Sequence, residues 1–373
     1  MKGVSAMRFL SAVLLGASLL LSPPAAAPAR AQERVVNVYN WSDYIDPYAI
    51  DRFQRETGIR VRYDVYDSLE TLEAKLLAGK SGYDIVVPTS EPSFSRLIRA
   101  GALAPLDAAR IPHLANLDPT MMSQVKSSDP GNKFGAIYLW GTTGIGYNAA
   151  KLAALAPDAP RDSWDLLLKP ENAKRMAKCG IVLLDSAIDV IPSVLRWLGR
   201  DPNSTDSKDL AAVESALRGI RPYIRAFIGG GAVEQLASGE ACLALNYSGD
   251  VIQAAARAEE AGKGIQIRYI VPKEGAQLAF DMLAIPADAL HKSEAMELIN
   301  FLLKPDVMAG ITNQVRYPNA IPISNSSIKP DILNDPGIYP PQSVRDRFFT
   351  IGAVPPEATR ARSRMWARLK SGG

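Results

Sequence analysis

The sequence predicts a two-lobed α/β protein, and three observations predict it. Strand-like and helix-like segments alternate from Val35 onwards at the spacing of a covered parallel sheet. About 340 residues remain after an N-terminal leader, which is room for about two domains. No shift in composition marks a simple linker, so the two lobes are expected to be joined by more than one crossing of the chain.

The leader comes first. Lys2 and Arg8 precede an uncharged apolar stretch from Phe9 to Leu21, followed by Pro23-Pro24 and an Ala-rich tail. Ala29-Arg30-Ala31 fits a small-x-small cleavage pattern before Gln32, and Ala25-Ala26-Ala27 is a second candidate. The apolar run is short for a bilayer span, which predicts a cleaved export signal at 1–31 and an exported mature chain. The whole chain carries 42 basic and 39 acidic residues; without the leader the numbers are equal at 39 each. A neutral chain offers no electrostatic footprint for nucleic acid or an anionic membrane.

The elements follow in order. Val35–Tyr39 reads as a buried strand, and Asp46-Pro47 opens a helix that Gly58 closes. Ile59–Tyr66 alternates as a strand, and Asp67 with Glu70 resembles a capping box before a helix at Leu69–Ala78. Asp84–Val87 is a short strand ended by Pro88, and Ser93–Ala100 a helix stopped by Gly101. Phe134–Leu139 and Gly144–Tyr147 read as extended segments around a Gly-rich turn. Trp164–Leu168, Ala187–Leu198 and Leu210–Phe227 read as helices, and Gly180–Leu184 and Cys242–Asn246 as buried strands. Ser248–Glu260 is a helix capped by Ser248, Ile265–Val271 and Asp281–Ile285 are strands, and Ser293–Leu303 is a helix ending before Pro305.

Catalytic patterns fail one by one. His113 and His291 lack metal-ligand spacing. Ser248 in "NYSGD" lacks the first Gly of a nucleophile elbow, and "GTTGIGYN" lacks the Lys-Ser/Thr of a phosphate loop. Asn203-Ser204-Thr205 reads as a polar turn. Two cysteines in an exported chain favour a disulfide, with two separate buried thiols as the alternative.

What remains is a set of aromatics beside carboxylates: Trp41, Asp43 and Tyr44 in "YNWSDYID", Asp189 in "DSAIDV", Tyr247 and Asp250 in "NYSGD", Phe280 and Asp281 in "AFDM", and Tyr317 in "VRYPN". Each taken singly reads as core or as a helix cap. Together they suit an alkyl diamine. Carboxylates take the ammonium groups and rings line the methylenes, each ring face attracting a cation by roughly 0.5–2 kcal/mol.

At these residues the sequence resembles the periplasmic polyamine-binding proteins of ABC importers, nearest to putrescine receptors. The resemblance rests on "YNWSDYIDP", "ETGIRVRYDV", "YDIVVPTS", "TTGIGYN", "DSWDLLLKPEN", "LGRDPNST", "GDVIQAA", "VPKEGA" and "DPGIYPP", in order over nearly the whole mature chain. It implies a type II periplasmic-binding fold, with a hinge of several crossovers and a ligand cleft between the lobes. The expected lobes are residues 32–141 plus about 271–320, and 142–270 plus about 321–373. It implies a polyamine receptor rather than an enzyme, with putrescine first. Spermidine or agmatine preference, or sensing without transport, are the alternatives. It implies a monomer partnered by permease subunits, with no cofactor, metal or nucleic acid.

Residue by residue, Trp41 is expected to stack on the alkyl chain and Ser42 and Asp43 to receive an ammonium, with Tyr44 in the same segment. Thr89 matches a hydroxyl position and Asp189 a ligand-facing Glu one methylene longer. Tyr247 stands in the place of a Trp, Asp250 and Asp281 match acidic ligand residues, and Tyr317 matches a ring. Cys179 and Cys242 match the family's paired cysteines. Ala279 stands where an aromatic wall is expected, and Phe280 next door should face away by strand alternation. Glu91 adds an acid where the putrescine receptors carry a small hydroxyl. Ala279, Glu91 and Tyr247, which is smaller than the Trp it replaces, together predict a pocket looser than a strict putrescine site.

Overall fold

The computed structural model describes residues 33–229 and 232–372. The expected leader lies outside the described residues.

Among the described residues ten strands share one mixed sheet. They are β1 (Val35–Trp41), β2 (Arg60–Tyr66), β3 (Ile85–Val86), β4 (Leu103–Ala104), β5 (Gly135–Asn148), β6 (Ile181–Leu184), β7 (Ile224–Ile228), β8 (Leu243–Tyr247), β9 (Ile267–Ile270) and β10 (Gln277–Pro286). The main path runs β2-β1-β3-β10-β5-β8-β6-β7, with β4 beside β10 and β9 beside β5. Pairing is parallel among β2, β1 and β3 and among β7, β6 and β8, as strand–helix repetition predicts. It is antiparallel wherever β5 or β10 takes part, which the alternating pattern does not reveal.

β5 and β10 carry the chain between the two lobes. One hydrophobic core gathers Val36 to Trp140 with Phe280 to Ile321, and a second gathers Ile145 to Leu245 with Met365, Trp366 and Leu369. Ala136–Trp140 of β5 belong to the first core and Ile145 and Tyr147 to the second. A third crossing runs beside them, where Leu278 donates to Phe349 O (2.8 Å) and Phe349 donates to Ala276 O (3.0 Å). The helix Pro356–Ser371 then packs Met365, Trp366 and Leu369 into the second core.

Several local readings change. The Gly-rich "turn" is the middle of β5, one unbroken strand of 14 residues. Its glycines serve close approach instead: a Cβ at Gly146 would lie 2.7 Å from Val251, and one at Gly144 2.5 Å from Ile270 O. The helix expected to run to Phe227 ends at Ile220; Pro222 interrupts the ladder and Ile224–Ile228 becomes edge strand β7. Ser68, not Asp67, caps the helix Leu69–Leu77, accepting from Thr71 N at 3.2 Å. Asp46 caps the helix Pro47–Thr57 as expected, accepting from Tyr48 N at 3.0 Å. Ser248 lies inside its helix rather than capping it, and its hydroxyl accepts from Thr142 N at 3.2 Å.

Cys179 and Cys242 are bonded, with Cα atoms 5.6 Å apart, and join the residues just before β6 and β8. Of the histidines, His291 sits 3.0 Å from buried Asp84 and His113 2.9 Å from Asn300.

Candidate ligand-binding site

The carboxyl ends of β1 and β8, the end of β3 and the middle of β5 and β10 converge on one cavity between the lobes. This is where open α/β sheets expose backbone polar groups and place ligands. About 110 Å³ is open to the centres of water-sized molecules. Among the described residues none of the side chains lining it is Lys, Arg, His or Cys.

Of the four aspartates that line the cavity, three are buried and hydrogen-bonded by neutral groups; Asp67, at its rim, is exposed. Asp281 sits on β10, where it bridges to Thr89. Thr89 Oγ1 donates to its Oδ1 at 2.6 Å and Tyr44 Oη to its Oδ2 at 2.7 Å. Burial pushes its pKa up to about 6 against the pull of those two donors. Asp250 lies in the first turn of the helix Ser248–Glu260 and accepts from Tyr317 Oη at 2.8 Å. Burial raises it also to about 6, with Tyr317 opposing. Asp189 lies in the first turn of the helix Ala187–Trp197 and is buried. It accepts from Ser186 Oγ (2.5 Å), Tyr247 Oη (2.8 Å) and Gln277 Nε2 (3.0 Å), and burial holds its pKa above the ordinary value. Tyr247 thus reaches the shorter Asp189 through its hydroxyl.

The rings stand around these acids. Trp41 Nε1 donates to Val87 O at 3.0 Å, and its ring meets Tyr66 with centroids 4.6 Å apart. Tyr66 is held by the same carbonyl, donating at 2.6 Å. Tyr44 packs edge-on to Tyr317 at 4.8 Å. Tyr317 fits only because its neighbours are glycines: a Cβ on Gly141 would come within 2.9 Å of the ring.

Of the residues singled out by sequence, Trp41, Ser42, Tyr44, Thr89, Asp189, Tyr247, Asp250, Asp281 and Tyr317 line the cavity, as do Glu91 and Ala279. Phe280 is buried beyond the wall, paired across the sheet with Trp140, as alternation predicts. Asp43 is the exception. It adopts a left-handed conformation (φ 53°), which a short polar side chain tolerates. This turns it out of the cavity lining, half-exposed, to an ion pair with Arg257 at 3.3 Å. Arg257 also pairs with Glu234, so Asp43 ties the first lobe to a helix of the second instead of facing the cavity.

Sequence reasoning missed Gln277, Tyr66, Asp67, Leu69, Thr142, Thr143 and Ile188, which also line the cavity. Gln277 was within reach, because counting back by two from Asp281 through Ala279 lands on the same strand face.

The chain is similar to known proteins over nearly its whole length. Residues 48–340 match the family pattern described as bacterial extracellular solute-binding protein. The chain is 45% identical over 357 residues to the putrescine-binding periplasmic protein SpuD of Pseudomonas aeruginosa, covering 95% of this chain and 97% of that one. It is 44% identical to the putrescine-binding periplasmic protein PotF of Escherichia coli, covering 98% of each. Among solved structures, a putative spermidine/putrescine ABC transporter protein from Listeria monocytogenes superposes with a TM-score of 0.81 at 30% identity, covering 91% of this chain and all of that one. The substrate-binding protein PotD of Streptococcus pneumoniae follows with a TM-score of 0.75 at 29% identity, over 91% of this chain and 99% of that one. With its two α/β lobes and the cavity between them, the chain belongs to the bacterial extracellular solute-binding protein family, in the type II periplasmic-binding fold.

Proposed function

We propose that this protein is a periplasmic receptor that captures a small polyamine, putrescine first, and delivers it to the membrane permease of an ABC importer. The observation that carries the reading is the charge pattern of the cavity: Asp189, Asp250 and Asp281 are hydrogen-bonded only by neutral hydroxyls and an amide, with no cation among the described lining residues. Buried carboxylates cost free energy until a cation pairs with them. A bound ammonium supplies that pairing, so the ligand is selected by charge as well as by shape.

The roles follow from the donors already in place. Tyr317 engages Oδ1 of Asp250, and the second oxygen of that carboxylate can take an ammonium. Thr89 and Tyr44 each engage one oxygen of Asp281 and leave further lone pairs for another. Trp41, Tyr66 and Tyr247 offer faces to the methylenes between the two charges. The high identity to the two putrescine-binding proteins supports putrescine over longer amines, and the family supports capture and hand-over rather than catalysis.

Titration calorimetry with putrescine, cadaverine, spermidine and agmatine tests this. Saturable binding of putrescine well below millimolar is expected. Failure to bind any of the four at that level rejects the reading.

A further inference from the structure

Beyond the three aspartates the cavity has a second acidic end. Glu91 follows the β3 strand end and lines the main cavity. Its carboxylate is fixed by two neutral hydroxyls, Ser95 Oγ donating to Oε2 at 2.6 Å and Ser128 Oγ to Oε1 at 2.9 Å. It does not trail into solvent; it is held in place, half-buried.

A smaller cavity adjoins the main one. Glu91, Gln277 and Ala279 belong to the walls of both. Ala279 and Gly141 are paired across β10 and β5, so two minimal side chains stand where the main cavity meets its neighbour. The far wall is polar, with Ser90, Ser127 and Thr350.

Gln277 supplies an independent observation. It is 2% exposed, and its Nε2 is committed to Asp189. That bond dictates the amide's orientation, because a carboxylate only accepts from it. Its Oε1 is left buried with no hydrogen-bond partner. Such an acceptor is costly unless something donates to it. A carboxylate and an orphan carbonyl on the walls of one extension call for a group that is both cationic and rich in N–H.

Resting on the polyamine reading above, we propose that Glu91 and Gln277 Oε1 form a subsite for a third cationic nitrogen, reached past Ala279. The ligand class it admits is the linear triamine. A diamine leaves this end of the cavity unused. A triamine places two ammonium groups on the aspartates and its additional one between Glu91 and Gln277.

The test is calorimetric titration of putrescine and spermidine into the wild-type protein, Glu91→Gln and Ala279→Phe. Wild type should bind both amines. In Glu91→Gln the spermidine-to-putrescine affinity ratio should fall by about tenfold or more, the usual loss of a charged hydrogen-bond partner. In Ala279→Phe, where a ring obstructs the passage and no charge is changed, the ratio should fall in the same direction. A wild type that binds putrescine but not spermidine overturns the subsite and leaves the receptor reading standing. So does an unchanged ratio in the two variants. If either variant fails to fold, the other decides by the same ratio. A wild type that binds neither amine overturns both.

Discussion

The ring of Tyr317 lies so close to Gly249 that a Cβ at position 249 would sit 2.0 Å from two of its carbons. The same ring carries the hydroxyl that donates to Asp250, one residue further along. Gly249 therefore places one wall of the cavity without contributing a side chain to it.

Gly249→Ala should move Tyr317 and break its bond to Asp250. Affinity for putrescine should fall at least about tenfold, as for other lost hydrogen bonds to a charged group. The neighbouring helix backbone is ordinary, so the fold should persist. A crystal structure of the variant with Tyr317 in place, together with unchanged affinity, would show that the contact is not a constraint.

Neutralising Asp250 should act on ligand affinity and on ligand-free stability with opposite sign. Asp250→Asn or Asp281→Asn should each weaken putrescine binding by about 2–5 kcal/mol, since an ammonium loses its buried partner. Without ligand, Asp250→Asn should be more stable at pH 8. The folded pKa of each acid, about 6, lies above its usual value near 3.8. The stabilising contribution of each is therefore present below about pH 4 and lost as pH rises through about 6. Asparagine at 250 keeps an acceptor for Tyr317 and removes the charge, a gain of about 1–2 kcal/mol. At 281 both oxygens accept, from Thr89 and Tyr44, so an amide leaves one hydroxyl without its acceptor and offsets the gain. Chemical denaturation at pH 8 checks the second half; equal destabilisation with and without ligand would contradict it.

Affinity should depend on pH through the same groups. A bound cation favours the ionised carboxylates and draws their pKa values down from about 6. Binding should be level from about pH 8 to 7 and weaken as pH falls through about 6, by up to about tenfold per unit for each acid. Protons should be released on binding near pH 6, visible as a buffer-dependent heat. A flat profile down to about pH 5 would mean that the acids are already ionised before the ligand arrives.

The Cys179–Cys242 bridge closes a loop with a sequence separation of 63 residues. Replacing both cysteines by Ala should cost about 4 kcal/mol in the chain-entropy account. Neither cysteine lines the cavity, so putrescine affinity at low temperature should change little. Alkylation of the native protein without reductant, followed by mass spectrometry, should find no free thiol. A double variant as stable as wild type would show that the bridge adds no constraint.

Much of this was legible in the sequence where chemistry and periodicity agree. Trp41 stands at a strand end, Asp250 at a helix start and Asp281 within a strand, each beside rings, and only as a set do they point beyond packing and capping. Phe280 could be assigned to the far face from alternation. Side-chain partners across the fold could not be read. Asp43 and Arg257 lie far apart in the chain, and only the left-handed turn at Asp43 brings them together. The unbroken β5 was hidden for a different reason. Gly141, Gly144 and Gly146 are turn signals locally, yet here they admit Tyr317, Tyr269 and Val251 from other elements. Gln277 lies four residues before Asp281, where the sequence pattern places the start of that strand.

The order in which the two cores are assembled has a consequence for the growing chain. The first core takes residues from Val36 to Trp140 but also needs Phe280 to Ile321. The second opens at Ile145 and is closed by Trp366 and Leu369, close to the C-terminus. A nascent chain halted near residue 260 would hold parts of both cores and the whole of neither. Synthesis from the N-terminus therefore cannot complete the first core before Ile321 or the second before Leu369. Neither lobe can close early, and the protein should become compact late in synthesis rather than one lobe well ahead of the other.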